Sequence, residues 1–76
     1  MIQHVSIIEI TIECDLEKTE STNGELYKIK WIGGEDRHFT TPTFRFAVQS
    51  MPEAFNKVAV LSALNPCIKN ISIKKS

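Results

Sequence analysis

Hydrophobic and polar residues alternate most regularly in residues 5–14, near the start of the chain. The apolar residues that share one face of this segment are Ile8, Ile10, Ile12 and Cys14. Two glutamates and a threonine fall between them, on the opposite face. A period of two residues is that of an extended strand with one buried face. The pattern therefore predicts a β-strand with its isoleucines in the core.

The same alternation recurs in shorter segments, at residues 26–32, 37–41, 44–48 and 70–74. Gly33 and Gly34 stand between the first two of these and predict a hairpin turn. Pro42 follows the second. Because proline cannot donate a ladder hydrogen bond, that strand either ends there or lies at an edge or bulge.

Residues 51–64 follow a helical period instead. Ser50 is the predicted N-cap, Glu53 completes a capping box, and Pro52 is tolerated in the first turn. Pro66 disfavours helical geometry at the residue before it, so the helix ends at about Asn65. The apolar residues at 3.6-residue spacing, predicted to form its core face, are Met51, Ala54, Phe55, Val58 and Leu61.

These elements predict one α+β domain over residues 1–76, in the order β-β-β-α-β. A small antiparallel sheet of three to four strands carries one helix, residues 51–64, on one face. The main core is predicted where Phe55, Val58 and Leu61 pack on the apolar faces of the first two strands, at Ile10, Ile12, Ile29 and Trp31. The connection around the helix is long enough for a βαβ crossover, so the direction of the last strand stays open.

The chain has 76 residues, and domains of this size bury only about 60–65 % of their unfolded surface. Such a core leaves little room for a closed catalytic pocket. Ser50 lacks the G-x-S-x-G setting of a nucleophile. The possible metal ligands, which show no paired ligand spacing, are His4, Cys14, His38 and Cys67. We therefore expect no enzyme activity, no cofactor and no metal.

No apolar run approaches the roughly 20 residues needed to span a bilayer, and the N-terminus lacks the features of a signal peptide. The sequence therefore predicts a cytoplasmic protein without a membrane partner. In that compartment Cys14 and Cys67 are expected to be free, buried and hydrophobic, with a disulfide as the alternative. The sequence does not show whether they lie close together.

Charge is distributed unevenly. Residues 1–25 contain one lysine and six acidic residues, a net charge of −5, whereas residues 26–76 carry +5. The acidic strand and loop either neutralise the basic strands within the fold or create a dipolar surface that steers a charged partner. Residues 15–25, which we call the acidic loop, contain Asn23-Gly24 near their end. This pair favours a tight turn, so the segment is either a loop or the tip of a long hairpin.

Aromatic residues and cations alternate in two strands, around Trp31 and around Arg45, which is one pattern of single-stranded nucleic-acid binding. However, alternation places the rings and the cations on opposite faces. The sequence pI of about 6.7 is also below the basic range expected of such a module. We keep nucleic-acid binding as an alternative, with the aromatic residues more readily assigned to the core.

Protein binding is the leading prediction, because the second helix face becomes apolar towards its end, at Val60, Ala63 and Leu64. Together with Asp15, Glu17 and Glu20 in the acidic loop, these residues form the predicted contact surface. The partner is either a larger protein, with this chain as an inhibitor or adaptor, or a second copy in a homodimer. A composition rich in Ile, Lys, Asn and Glu suggests an AT-rich genome, such as that of a bacteriophage.

Overall fold

The computed structural model describes residues 7–19, 21–22 and 26–75. The predictions for His4, for Glu20, for the Asn23-Gly24 turn and for the first residues of the first strand lie outside these ranges. The elements, in chain order, are the strands β1 (Ile8–Cys14), β2 (Ser21–Thr22), β3 (Leu26–Lys30), β4 (Asp36–Phe39) and β5 (Thr43–Val48), the helix α1 (Met51–Leu64) and the strand β6 (Ile68–Lys75). The predicted α+β class is confirmed.

The main sheet has the strand order β5-β1-β6, with β1 antiparallel to both neighbours. The last strand therefore runs antiparallel to β1 and parallel to β5, and α1 carries the chain across β1 between them. The register places Ile10 between Phe46 and Ile73, and Ile12 between Phe44 and Ile71. Every second residue of β1 consequently points into one apolar face, as the alternation predicted.

A second antiparallel sheet has the strand order β2-β3-β4, and we call it the hairpin sheet. The sequence pattern did not predict that its strands are separate from the main sheet. The predicted turn between β3 and β4 is confirmed. The Trp31 N–H donates to the Glu35 carbonyl at 2.7 Å, and the Gly34 N–H donates to the Trp31 carbonyl at 2.9 Å. Gly34 has φ +91°, the left-handed conformation that closes three-residue hairpin loops and favours glycine.

The helix has the predicted bounds, and its first turn is capped by side chains. Ser50 Oγ accepts from the Glu53 N–H at 3.3 Å, and Glu53 Oε2 accepts from the Gln49 N–H at 3.4 Å. The glutamate thus reaches the residue before the cap. Its other oxygen is 3.1 Å from Lys57 Nζ, one helical turn on, and this contact lowers the pKa of Glu53.

The core lies between the inner face of the main sheet, the helix and the hairpin sheet. Its fully buried large side chains are Ile8, Ile10, Ile12, Ile29 and Leu61, with Ala54 buried beside them. Trp31 and Val58 pack against this core as predicted. The prediction for Phe55 is wrong, because its side chain is 58 % exposed. The buried helix face is narrow and centred on Ala54 and Leu61, and Phe55 lies about 100° round the helix from Ala54.

The outer face of the main sheet is polar and brings opposite charges together. Glu9 on β1 lies directly opposite Lys74 on β6. Glu13 Oε1 accepts from Asn70 Nδ2 at 2.8 Å, four residues further along the same pair of strands. Part of the charge separation along the sequence is therefore compensated between neighbouring strands.

Candidate functional site

The helix presents an apolar surface that the rest of the described chain does not cover. We call it the outer helix face, and its residues are Phe55, Ala59, Val60, Ala63 and Leu64. The side chains of Phe55 and Leu64 are 58 % and 42 % exposed. The two alanines are exposed as well, and Val60 is half-buried. Of the predicted contact residues on the helix, Ala63 and Leu64 are thus exposed and Val60 is only partly so, and Phe55, assigned to the core from its spacing, is exposed as well.

The start of the acidic loop is an ordered turn built around Asp15. Asp15 Oδ1 accepts from the Glu17 N–H at 3.0 Å, and the Asp15 carbonyl accepts from Thr19 Oγ1 at 2.6 Å. The Asp15 N–H donates to the Cys67 carbonyl at 2.7 Å, which fixes the turn beside the start of β6. The carboxylate of half-buried Asp15 therefore shapes the turn, and Glu17 carries the exposed negative charge.

The loop and the helix end meet at a cavity of about 250 Å³, which we call the lysine cavity. Its lining residues are Lys18, Lys28, Lys30, Asp36, Leu64, Asn65, Pro66 and Cys67. The structure thus brings Leu64 and the acidic loop to one place, although they are remote in sequence. Val60 and Ala63 do not line this cavity, and Glu20 lies outside the described residues.

Among the residues that the structure describes, three lysines and one aspartate line this cavity. Lys30 Nζ is 3.1 Å from Asp36 Oδ1, and this hydrogen bond is the main reason why the pKa of Asp36 is lowered. The charges of Lys28 and His38 act on Asp36 in the same direction. The alternation of β3 predicted that Lys28 and Lys30 share a face, but nothing in the sequence places Lys18 beside them.

One wall of the cavity is held by Asn65, which is buried with 7 % of its surface exposed. Asn65 Oδ1 accepts from the Lys30 N–H at 2.9 Å, and Asn65 Nδ2 donates to the Lys30 carbonyl at 2.8 Å. Nδ2 also donates to the Leu61 carbonyl at 3.0 Å. The side-chain amide thus pairs with β3 as a neighbouring strand would, and it joins the hairpin sheet to the helix end.

Cys14 and Cys67 are both buried and free, and they are close enough for Cys67 to act on the pKa of Cys14. The sequence predicted free, buried thiols but not their proximity. Burial, and secondarily the neighbouring Cys67, raise the pKa of Cys14 from 9.0 to about 12. A thiol with so high a pKa is a poor nucleophile and a poor metal ligand at neutral pH.

Four of the aromatic residues pack on one another, namely Trp31, Phe39, Phe44 and Phe46. The rings of Trp31 and Phe46 meet edge to face at 5.3 Å, and Phe39 stacks on Phe44 at 4.4 Å. The guanidinium of Arg37 lies 4.2 Å from the Trp31 ring centre. These interactions occupy the surfaces that a stacked base would need.

The chain matches no family model, and no curated protein or solved structure was found to be significantly similar. Among residues 7–19, 21–22 and 26–75, no helix has the length and apolar character needed to cross a membrane. Within these same ranges, no three His, Cys, Asp or Glu side chains come together as a metal-binding group.

Proposed function

We propose that this chain is a non-enzymatic protein-binding module that docks on a larger protein through the outer helix face. One observation supports this proposal above the others: two large apolar side chains of α1, Phe55 and Leu64, are 58 % and 42 % exposed. Solvated helix positions ordinarily carry charged or polar residues, so exposed apolar side chains of this size are candidates for contact with a partner. An inhibitor or adaptor, including one encoded by a phage, needs no more than such a surface.

The acidic loop extends this surface at its C-terminal end. Leu64 and Lys18 line the same cavity, and Glu17 is the exposed acidic residue one position before Lys18. Apolar side chains beside charged ones match the usual anatomy of an interface, with an apolar centre and a polar rim.

The nucleic-acid alternative has less support. The rings of Trp31 and Phe46 are already packed, and Arg45 lies on the opposite face of the main sheet from Phe44 and Phe46. A single strand laid on one face of the sheet would not contact both the rings and this cation.

The test combines light scattering with affinity capture from host lysate, using the wild type and the variant Val60→Glu/Leu64→Lys. A matched control, Ala47→Lys/Ser72→Glu, makes the same charge changes on the polar outer face of the main sheet. We expect a monomer whose captured protein is lost with the helix variant and kept with the control. Phe55→Ser should weaken the same capture.

Two results would contradict the proposal. A wild-type dimer that the helix variant converts to a monomer would assign the outer helix face to a homodimer. Salt-dependent binding to single strands that Trp31→Ala weakens, with no captured protein, would assign the function to the strands.

A further inference from the structure

We propose that Cys14 and Cys67 form a redox site, at which a low-molecular-weight disulfide such as glutathione disulfide converts the two thiols into an intramolecular disulfide bond. The bond joins the end of β1 to the turn at residues 65–67, between α1 and β6. It adds no contact to the outer helix face, so it does not depend on the protein-binding function proposed above.

The backbone places the two cysteines on neighbouring segments. Cys14 lies opposite Ile68 in the antiparallel pair of β1 and β6, and the N–H of Asp15 donates to the Cys67 carbonyl at 2.7 Å. From the other side, the Cys14 N–H donates to the Pro42 carbonyl at 2.9 Å. Strand spacing and rise put the Cα atom one position beyond a directly opposite pair about 6 Å away. Disulfides form at Cα separations of roughly 4.4–6.8 Å, so the backbone need not move far.

Both side chains lie in the same core. Cys14 and Cys67 are 2 % and 6 % exposed and belong to one cluster of buried residues. Side chains of a regular ladder alternate between faces, but the register shifts between Glu13 and Cys14, and Cys67 precedes the first residue of β6. Strict alternation therefore does not separate the thiols. After burial, the nearness of Cys67 is the main cause that raises the pKa of Cys14, and such an influence acts over about 4–6 Å.

The reaction consists of two successive thiol–disulfide exchanges. Cys67 lines the lysine cavity, so we assign the first attack to its thiolate, which displaces one glutathione thiolate and leaves a mixed disulfide. The Cys14 thiolate then attacks the Cys67 sulfur and displaces the second glutathione thiolate. Two protein thiols are oxidised, one glutathione disulfide is reduced, and the two glutathione thiolates take up the two protons that the cysteines release. Because Cys14 is seldom ionised at neutral pH, the second exchange is slow.

The fold favours this bond because it already holds the two segments together. In the unfolded chain, closing residues 14–67 into a ring costs the conformational entropy of a loop of roughly 50 residues. The folded chain meets little of this cost, since β1 and β6 are already paired. The folded state therefore holds the disulfide more strongly than the unfolded state does, and the disulfide in turn raises the melting temperature.

Equilibration of the full chain with mixtures of reduced and oxidised glutathione tests the proposal, in buffer and in denaturing urea, at about pH 8, where more of each thiol is ionised. Acid quenching, alkylation and mass spectrometry then measure the ratio of protein disulfide to dithiol. We expect this ratio to be at least about thirtyfold higher in buffer than in urea, with Cys14 and Cys67 in one linked pair of peptides. The linked protein should melt about 10 °C or more above the reduced protein, and dithiothreitol should reverse the difference.

Two variants with one thiol each, Cys14→Ala and Cys67→Ala, are the matched controls. Neither can form the intramolecular bond, so oxidised glutathione should give at most a mixed disulfide and should not raise the melting temperature. The comparison of the wild type in buffer and in urea does not require either variant to fold.

A ratio that is equal in buffer and in urea would overturn the proposal, because it would show that the fold does not bring the thiols into position. Disulfides found only between two copies of the chain would overturn it as well. So would a linked protein that melts at or below the temperature of the reduced protein, since the bond would then distort the fold. These results would identify the cysteines as buried apolar residues without a redox role.

Discussion

At the scale of single residues, Asn65 has the largest structural role of any polar side chain in the described ranges. Its backbone N–H caps the helix by donating to the Leu61 carbonyl at 2.9 Å, and its side chain pairs with both backbone groups of Lys30. One buried amide thus ends the helix and fixes the hairpin sheet. The sequence suggested only the first of these roles, because a helix stop is a local signal and a partner 35 residues away is not.

We expect Asn65→Ala to lower the free energy of unfolding by about 3 kcal/mol, since it removes three side-chain hydrogen bonds worth about 1 kcal/mol each. Asn65→Asp should cost at least as much at pH 7, because it loses both donors and sets a carboxylate against two carbonyls. Urea unfolding measures both, with exposed Asn56→Ala as the control. A loss below about 1 kcal/mol for Asn65→Ala would show that the side-chain hydrogen bonds of Asn65 do not stabilise the fold.

The raised pKa of Cys14 predicts that the free energy of unfolding falls at alkaline pH. Its pKa is about 12 in the folded protein, against 9.0 ordinarily, so the folded state holds this proton more tightly. The resulting stability is fully present below about pH 9 and is lost as pH rises from 9 towards 12, by up to about 1.4 kcal/mol per pH unit. Urea unfolding at several pH values should show this slope in the wild type and a smaller one in Cys14→Ala. Equal slopes would refute the assignment to Cys14.

At the scale of elements, the helix shows why an apolar spacing does not identify a buried face. Ala54 and Leu61 are fully buried and mark the side of the helix that faces the core. The buried stripe is narrow, and Phe55 and Leu64 on either side of it stay exposed. The period predicted the helix correctly but assigned one of its largest side chains to the wrong environment.

The free energies of unfolding of two variants test whether Leu61 is buried and Phe55 is exposed. Leu61→Ala should cost about 2–5 kcal/mol, as truncation of a fully buried leucine does. Phe55→Ala should cost less than about 1 kcal/mol, the usual range for surface changes. Urea unfolding of the two variants under identical conditions is the measurement. If Phe55→Ala proved as costly as Leu61→Ala, the helix would be rotated relative to the face described above.

At the scale of the whole molecule, the chain is elongated. Its principal extents are 51 × 21 × 21 Å and its radius of gyration is 13.6 Å, against about 11 Å for a compact domain of this length. The main sheet supplies most of the buried residues in the described part of the chain, whereas among the side chains described in β3 and β4 only Ile29 is fully buried. The hairpin sheet depends on the core for stability more than the core depends on it.

Hydrogen exchange should therefore proceed in two stages. We expect the ladder-bonded amides of β1, between two partner strands, to exchange at least about tenfold more slowly than those of β4, which lies at an edge with exposed side chains. Amide exchange followed by nuclear magnetic resonance at pH 7 gives both rates. Equal exchange rates in β1 and β4 would contradict this and would show that the two sheets unfold as one cooperative unit.

The sequence by itself determined most of the elements, but not β2, which lies in the segment predicted as a loop or hairpin tip. Alternation fixed the apolar face of β1, the cap and stop signals fixed the ends of α1, and paired glycines fixed the hairpin turn, because each is a local property of backbone geometry. Only the tertiary structure decided which residues meet across long separations: Cys14 with Cys67, Asn65 with Lys30, and Lys18 with Leu64 at the lysine cavity. It also decided that Phe55 is exposed, because a 3.6-residue period predicts a helix with an apolar side, whereas long-range packing decides which residues of that side face the sheet.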